Sequence, residues 1–382
     1  MKNKKIRFSK RFKDILSLIS SEAGKVDVRV FLVGGSVRDL ILGNENQDID
    51  VVAEGDAIAL AERVAGKIKG KVFKYRRFGT ATLILQGSSA SELSDKKCGK
   101  IKIDFATARK ETYSSPAALP DVVPSVLKND LYRRDFTINS MAIGLNKDDF
   151  GAVIDHCGGL KDLEKKKIRI LHDRSFIDDP TRIFRAIRFE QRLGFKIEKH
   201  TMMLLKNALG KKMISRTGKE RIKEELMLIL KESVPEKSLL RMKELAVMKE
   251  IYPGLSLPSR TGQRFKSLRS LQKACTADGN ERDPSKIRNM YLMILLGELD
   301  SARILMAAKG YVFSKKLVFN IFEYAENKGT IVKRMGSKKR MGSVEVREVL
   351  NTFSSETLFC VAAGTRSLRA RKRIVSFEKD RI

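Results

Sequence analysis

The hydrophobic period of this chain changes near residue 150, and no single layered architecture accommodates both halves. Before that point short strand-like runs alternate with amphipathic stretches. Residues 10–24 predict a helix with Ile15, Leu16, Leu18 and Ile19 on one side. VRVFLVGG reads as a strand running into glycines, and SVRDLILG as a short helix closed by Gly43. QDIDVVAEG predicts a second strand, DAIALAERVAGKI a second long helix, KVFKYRRFGTATLIL paired strands, and KIKIDFATAR a further alternating strand. These elements predict an α/β head with a mixed sheet and helices. Pro116, Pro120 and Pro124 predict an irregular loop over Lys110 to Asp130. From DDPTRIFRAIRFEQRLGF onward helical spacing dominates, which predicts an all-α remainder. The expected divisions are 1–24, an N-terminal basic helix; 25–150, the head; 151–245, a helical neck; and 246–382, a helical body and short tail.

Charge narrows the partner. Lys and Arg number 77 against 46 Asp and Glu, a formal net charge of +31. Such self-repulsion is usually retained for a polyanion, and nucleic acid fits because Lys and Arg neutralise phosphates and release counterions. A generally basic, well-solvated surface stays open as the plainer reading. Cys98, Cys157, Cys275 and Cys360 include no CxxC pair, so neither a disulfide framework nor a zinc site is expected. The basic N-terminus carries no long apolar run or cleavage site, and no segment has the apolar length to span a bilayer. A cytoplasmic chain without a membrane partner is the expectation; oligomeric state is left open.

The residues that carry chemistry begin with Asp48 and Asp50. On a strand, side chains two apart share a face, and two neighbouring carboxylates invite a hard divalent cation, above all Mg²⁺. Taken alone, this pair reads more simply as an acidic strand end. Upstream, Gly34, Gly35 and Ser36 stand where a strand meets a helix, a place where backbone N–H groups can cradle a phosphate, and Arg38 follows one turn later. Alone, the glycines would be a tight turn. Asp104 faces opposite to Ile101, Ile103 and Phe105, so it would add a third carboxylate to a two-metal site or be an ordinary outward strand residue. Further along, Arg182, Arg185, Arg188 and Arg192 form one ridge of a predicted helix, opposite Ile183, Phe184 and Ile187. On spacing alone, an N-cap followed by solvated arginines is the simpler explanation.

FLVGGSVRDLILGNENQDIDVV, LYRRDFTINSMAI and DDPTRIFRAIRFEQRLGF, in this order, resemble the class II tRNA nucleotidyltransferase (CCA-adding enzyme) and bacterial poly(A) polymerase family. The resemblance covers about residues 28 to 230. It implies a nucleotidyltransferase-fold head followed by helical neck, body and tail. It implies that Asp48, Asp50 and Asp104 are catalytic and hold Mg²⁺, and that Gly34, Gly35, Ser36 and Arg38 contact the nucleotide's phosphates. Arg134 and Asp135 would bind phosphate and ribose, with Asn139 assisting. Asp179 and Arg182 would read the incoming base, with Arg185 and Arg188 as further nucleotide contacts. Asp178 stands where the family usually has Glu. Gly158 and Gly159 would lie in a hinge, and Arg221 and Glu225 would brace the neck, or simply pair four apart on one helix. The implied substrates are a tRNA 3′ end with CTP and ATP, the implied reaction CCA addition or repair with release of pyrophosphate.

Competing readings differ in class. A metal-dependent phosphohydrolase built on His172-Asp173 needs more histidines than His156, His172 and His200 supply. An RNA-binding protein with a degenerate head would have lost carboxylates that are present. A small-molecule nucleotidyltransferase would not need a long basic helical half. Within the family, CC-only, A-only and poly(A) addition share these motifs and remain alternatives.

Overall fold

Alternation of apolar and polar residues gives the head's sheet two distinct faces. The computed structural model describes residues 6, 8–44, 48–86, 100–252, 254–275 and 284–381. The chain divides into two units, Met1–Arg182 with Gly194–Leu205, and Ile183–Leu193 with Lys206–Ile382.

In chain order, the first unit begins with α1 (Lys10–Gly24), β1 (Arg29–Val33), α2 (Gly35–Ile41), β2 (Asp48–Glu54), α3 (Ala57–Ile68), β3 (Lys71–Tyr75) and β4 (Thr80–Gln86). It continues with β5 (Lys100–Thr107), β6 (Arg109–Thr112), β7 (Asp121–Pro124), α4 (Leu127–Tyr132), β8 (Met141–Gly144) and β9 (Val153–Asp155). Then come α5 (Gly159–Glu164), α6 (Ser175–Asp178), the start of α7 (Thr181–Leu193), and part of α8 (Lys199–Gly210). Seven strands form one mixed sheet in the order β3-β4-β5-β2-β1-β8-β9. β2 and β5 run parallel, and the other neighbours run antiparallel.

Ile101, Ile103 and Phe105 of β5 and Ala81, Leu83 and Leu85 of β4 are fully buried on one face, where α3 packs across the sheet. Burying each such side chain is worth about 1.5–3 kcal/mol, so this layer fixes the register as well as the fold. On the opposite face Phe31, Val33, Val52, Leu127, Leu131 and Ala142 form a core under α4. Beyond that core the same face carries Asp50 and Asp104, so the acidic residues lie at the rim of an apolar cluster.

The segment expected to be an irregular loop is instead a hairpin. β6 and β7 pair antiparallel from Arg109↔Pro124 to Thr112↔Asp121. Its prolines sit where no ladder N–H is needed: Pro116 and Pro120 in the connection, Pro124 at the strand end. Gly159, expected in a flexible hinge, is a close-approach position, since a methyl there would lie 2.3 Å from the Thr137 carbonyl oxygen.

In the second unit the described regular structure is helical, including α9 (Lys219–Leu230) and the 22-residue helix Lys315–Gly336. Asp300, Ser314 and Ser354 each cap a helix by accepting from the N–H three residues on, at about 1 kcal/mol per cap. Phe265 stacks on Tyr291 with ring centroids 4.1 Å apart in its interior. Among the described residues no helix is long and apolar enough to cross a membrane.

Candidate active site

Strand register assembles the acidic residues. In the parallel pair β2·β5, Asp50 stands beside Asp104 and Asp48 beside Lys102. Asp50, Asp104 and Lys102 share one face by the two-residue strand period. The side chain of Asp48 lies outside the described residues. Asp104 is not alone on its strand: Thr82 Oγ1 donates to its Oδ1 at 2.6 Å, and the Lys102 ammonium donates to its Oδ2. Asp104 is thus paired with a cationic side chain, and its oxygens and those of Asp50 are donors of the kind that a hard divalent cation takes. Among the described residues no group of three or more His, Cys, Asp or Glu gathers as a metal cage, and Asp48's side chain does not enter that statement.

The glycine turn faces the same spot. Gly34 has φ +71° and ψ −135°, a conformation that a Cβ would strain. A methyl built there would lie 2.8 Å from Arg134 Nη1 and 3.9 Å from Asp50 Oδ2. Gly34, Asp50 and Arg134 therefore converge on one small space, with a cationic donor opposite a carboxylate. Ser36 Oγ accepts from the Asp50 backbone N–H at 3.3 Å, tying the start of α2 to β2. Gly35 opens α2 beside it.

Arg134 is aimed by a residue that sequence reasoning missed. Asp130, fully buried in the first turn of α4, accepts from Arg134 Nη2 at 2.8 Å and from Arg133 Nη2 at 2.7 Å. Burial alone would raise its carboxyl, but the Arg134 and Arg133 guanidinia outweigh burial and hold it below the usual carboxylate range. The signal was present in LKNDLYRRD, where Asp130 precedes the two arginines by three and four residues, the spacing of one helical turn.

Arg38, Asn139 and Asp135 form a buried chain. Arg38 makes a two-pronged contact with Asp39, at 2.8 and 2.9 Å, and its Nη1 donates to Asn139 Oδ1 at 2.7 Å. Asn139 Nδ2 donates in turn to Asp135 Oδ1 at 3.0 Å, which also accepts the Phe136 N–H. This chain braces α2 against the segment that follows Arg134.

At the start of α7, Asp179 accepts from the Thr181 N–H at 3.1 Å and from its hydroxyl at 2.6 Å, so it is the helix cap. Arg182 Nη2 donates to the Arg133 carbonyl at 2.8 Å and Nη1 to Ser175 Oγ at 2.7 Å. The expected outward ridge of arginines is not what forms: the side chains of Arg182 and Arg188 are only 5% and 8% exposed. Within the second unit, Arg185 Nη1 lies 3.4 Å from Glu225 Oε1, and Arg188 lies 3.8 Å from Glu225 and 3.5 Å from Glu232. Glu225 thus takes arginines from α7, where the sequence suggested a partner on its own helix. Glu225 of α9 and Glu232 just beyond its end explain the burial: they neutralise charges that the apolar side of α7 draws inward.

Residues 30–169 match the poly A polymerase head domain, and residues 194–257 match the probable RNA and SrmB-binding site of polymerase A. The chain is 47% identical over 239 residues to an A-adding tRNA nucleotidyltransferase of Geobacter sulfurreducens, covering 63% of this chain and 26% of that protein. It is 41% identical over 280 residues to the A-adding tRNA nucleotidyltransferase of Aquifex aeolicus, covering 72% and 32%. A CCA-adding enzyme solved in an apo form superposes with a TM-score of 0.80 at 35% identity, over 97% of this chain and 83% of that one. The chain belongs to the class II tRNA nucleotidyltransferase and poly(A) polymerase family. A Thermotoga maritima CCA-adding enzyme complexed with tRNA matches with a TM-score of 0.74 at 33% identity, over 99% and 85%. The chain spans less than two thirds of the length of these curated relatives, 26% and 32% for the two above.

Within this family member, two more side chains border the site without having been singled out. Lys102 is one; its signal was its place two residues before Asp104, on the same strand face. Tyr113 is the other. Burial pushes its phenol up to about 12, with the nearby Arg182 guanidinium working against that rise and Glu111 and Asp179 adding to it. It donates to Glu111 Oε2 at 3.3 Å, while Ala117 in the same hairpin donates its N–H to the Ile177 carbonyl at 3.1 Å. The hairpin is thereby fastened beside Asp179, a contact no sequence pattern announces.

Proposed function

We propose that this chain is an enzyme that transfers nucleotides, without a template, to the 3′ end of tRNA, using ATP and CTP as the family's substrates. The observation that supports it most is the convergence of Asp50, Asp104, Gly34 and Arg134 on one face of the head sheet. Family membership supports it independently, as do solved relatives with ATP and with CTP. Asp48, Asp50 and Asp104 are the residues that would hold Mg²⁺, which when bound would make the RNA 3′-hydroxyl easier to deprotonate and offset charge on the departing pyrophosphate. Arg134, held by Asp130, would pair with the triphosphate, and the absence of a side chain at Gly34 would let the phosphates approach the backbone beside that guanidinium. Asp135, held by Asn139, would accept from the ribose; Asp179 and Arg182 would present hydrogen-bonding edges to the base.

For specificity, the sequence points to CCA addition, but a second reading has its own support. Three relatives at 37–47% identity are A-adding enzymes, and we take addition of the terminal adenylate as the favoured activity. The test offers the purified chain three tRNAs, ending before CCA, after C and after CC, with CTP, ATP or both and Mg²⁺. Extension of the CC-ended tRNA alone is expected. Extension of all three would return the reading to CCA addition, long adenylate tails on unrelated RNA would make the chain a poly(A) polymerase, and no incorporation would refute the proposal.

A further inference from the structure

The register that aligns the carboxylates extends beyond them to the sheet edge. Asp50 stands beside Asp104, Asp104 opposite Thr82, and Thr82 opposite Phe73. These four residues form one cross-strand row on one face, with Phe73 at its outer end. At about 4.8 Å per strand, Phe73 lies roughly 10 Å from Asp104. The Thr82 hydroxyl bonded to Asp104 shows that this face is the acidic one. Lys74, the next residue of β3, points the other way, to Glu62 of α3 at 2.6 Å. Tyr75 shares Phe73's face, and Lys71 does so on the other side.

These rings are not serving the core. Phe73 is 39% exposed and Tyr75 53% exposed, although β3 is an edge strand where large apolar side chains invite unwanted pairing. Lys71 and Lys74 are the charges that guard such an edge, and the exposed rings between and after them add nothing to that protection. Cations lie beside and after them: the Lys71 ammonium lies 5.1 Å from the Phe73 ring centroid, and the exposed Arg76 and Arg77 follow Tyr75 in the chain. Rings two residues apart with positive charge beside them match the chemistry of a single strand of RNA, whose bases stack and whose phosphates pair.

We infer that Phe73 and Tyr75, with Lys71, form a stacking platform for the unpaired 3′-terminal nucleotides of the RNA substrate, leading along the sheet to the carboxylates. This rests on the proposed nucleotidyl transfer for the identity of the RNA, and on β3 alone for the surface. The occupant is a single-stranded RNA end because the row ends at the groups that would act on its terminal hydroxyl.

The test measures binding of the full chain to a short fluorescein-labelled single-stranded RNA ending in CC, by anisotropy, without nucleotide or metal. Phe73→Ala and Tyr75→Ala should each weaken binding by about 5-fold or more, while Phe73→Trp and Tyr75→Phe retain it. Lys71→Ala should lower the salt dependence of binding by about one phosphate contact. In incorporation assays the alanine variants should raise KM for RNA and leave KM for ATP within twofold or so. Unchanged RNA affinity in both alanine variants overturns the platform. So does an equal loss of affinity for blunt duplex RNA, or loss of self-association of the chain with RNA affinity intact, which would make the rings an interface between copies. A wild-type chain that incorporates nothing would refute the proposed function, and the binding series would still decide the platform. Melting curves exclude misfolding, and Phe73→Leu, which keeps bulk without a π face, should bind like the alanine variant.

Discussion

Gly34→Ala probes the site at its tightest point. Its backbone, at φ +71° and ψ −135°, is nearly closed to residues with a Cβ, and holding alanine there costs about 1–3 kcal/mol. In a unit of this size that lowers the melting temperature by roughly 2–12 °C. The new methyl also meets Arg134 Nη1 at 2.8 Å. That atom ends a flexible side chain, so Arg134 gives way and the backbone does not. A displaced guanidinium loses a charge-assisted hydrogen bond to phosphate, worth about 1.5–3 kcal/mol, or roughly 10- to 150-fold in KM for ATP. Melting curves and steady-state incorporation separate the two effects, and Arg134→Ala sharpens the test by removing the clashing atom. On that background Gly34→Ala should keep its thermal cost and lose its effect on KM. A full KM effect without Arg134, or a wild-type melting temperature for Gly34→Ala, would refute the assigned geometry.

Asp50→Asn should reduce incorporation by roughly 10³-fold with the melting temperature nearly unchanged, since it removes several kcal/mol of charge stabilisation at the reacting phosphate; near-wild-type turnover contradicts the catalytic role. Lys102→Met removes a cation that competes for Asp104, so half-maximal activity should need up to about fivefold less Mg²⁺, and titration of Mn²⁺ binding by electron paramagnetic resonance should shift likewise; an unchanged or higher requirement refutes the competition. Asp130→Asn leaves Arg133 and Arg134 without their buried partner and should cost about 3–5 kcal/mol at pH 7. Because the native Asp130 carboxyl is lowered, its contribution is complete above the ordinary value near 4 and is lost as pH falls through the native value, so the deficit, followed by urea unfolding, should shrink below about pH 4. A deficit that grows in acid reverses the sign and the assignment. Asp179→Ala with Arg182→Ala should blur the choice between CTP and ATP more than it weakens RNA binding; loss of RNA affinity alone would deny the base-reading role.

The strands of the head were legible because burial on one face leaves a two-residue signature. Ile101, Ile103 and Phe105 announce β5 and the outward direction of Asp104, and the structure buries all three. The β6–β7 hairpin was not legible, because its prolines signal interruption and only long-range packing shows that each falls outside a needed hydrogen bond. The arginine spacing of α7 was legible and its environment was not. A helix pattern cannot tell water from a carboxylate, and Glu225 and Glu232, which bury Arg188, come from residues more than thirty positions away. Asp130 illustrates the opposite case: it stood one helical turn from Arg134 in plain view, but nothing in the local spacing marks it as fully buried.

What joins these facts is register. In a sheet whose side chains alternate strictly, a slip of one residue between β2 and β5 would carry Asp104 to the face occupied by α3 and bring Ile103 and Phe105 into the opening. Several fully buried side chains on β4 and β5, at about 1.5–3 kcal/mol each, oppose that slip far more strongly than the electrostatic repulsion of two half-exposed carboxylates could favour it. The apolar layer beneath α3 therefore holds the acidic residues together against their own repulsion, with Lys102 reducing what remains. The same constraint places Phe73 in line with Asp50 across three strand pairings. A core chosen for packing thus determines both where charge is concentrated and which aromatic surface leads to it.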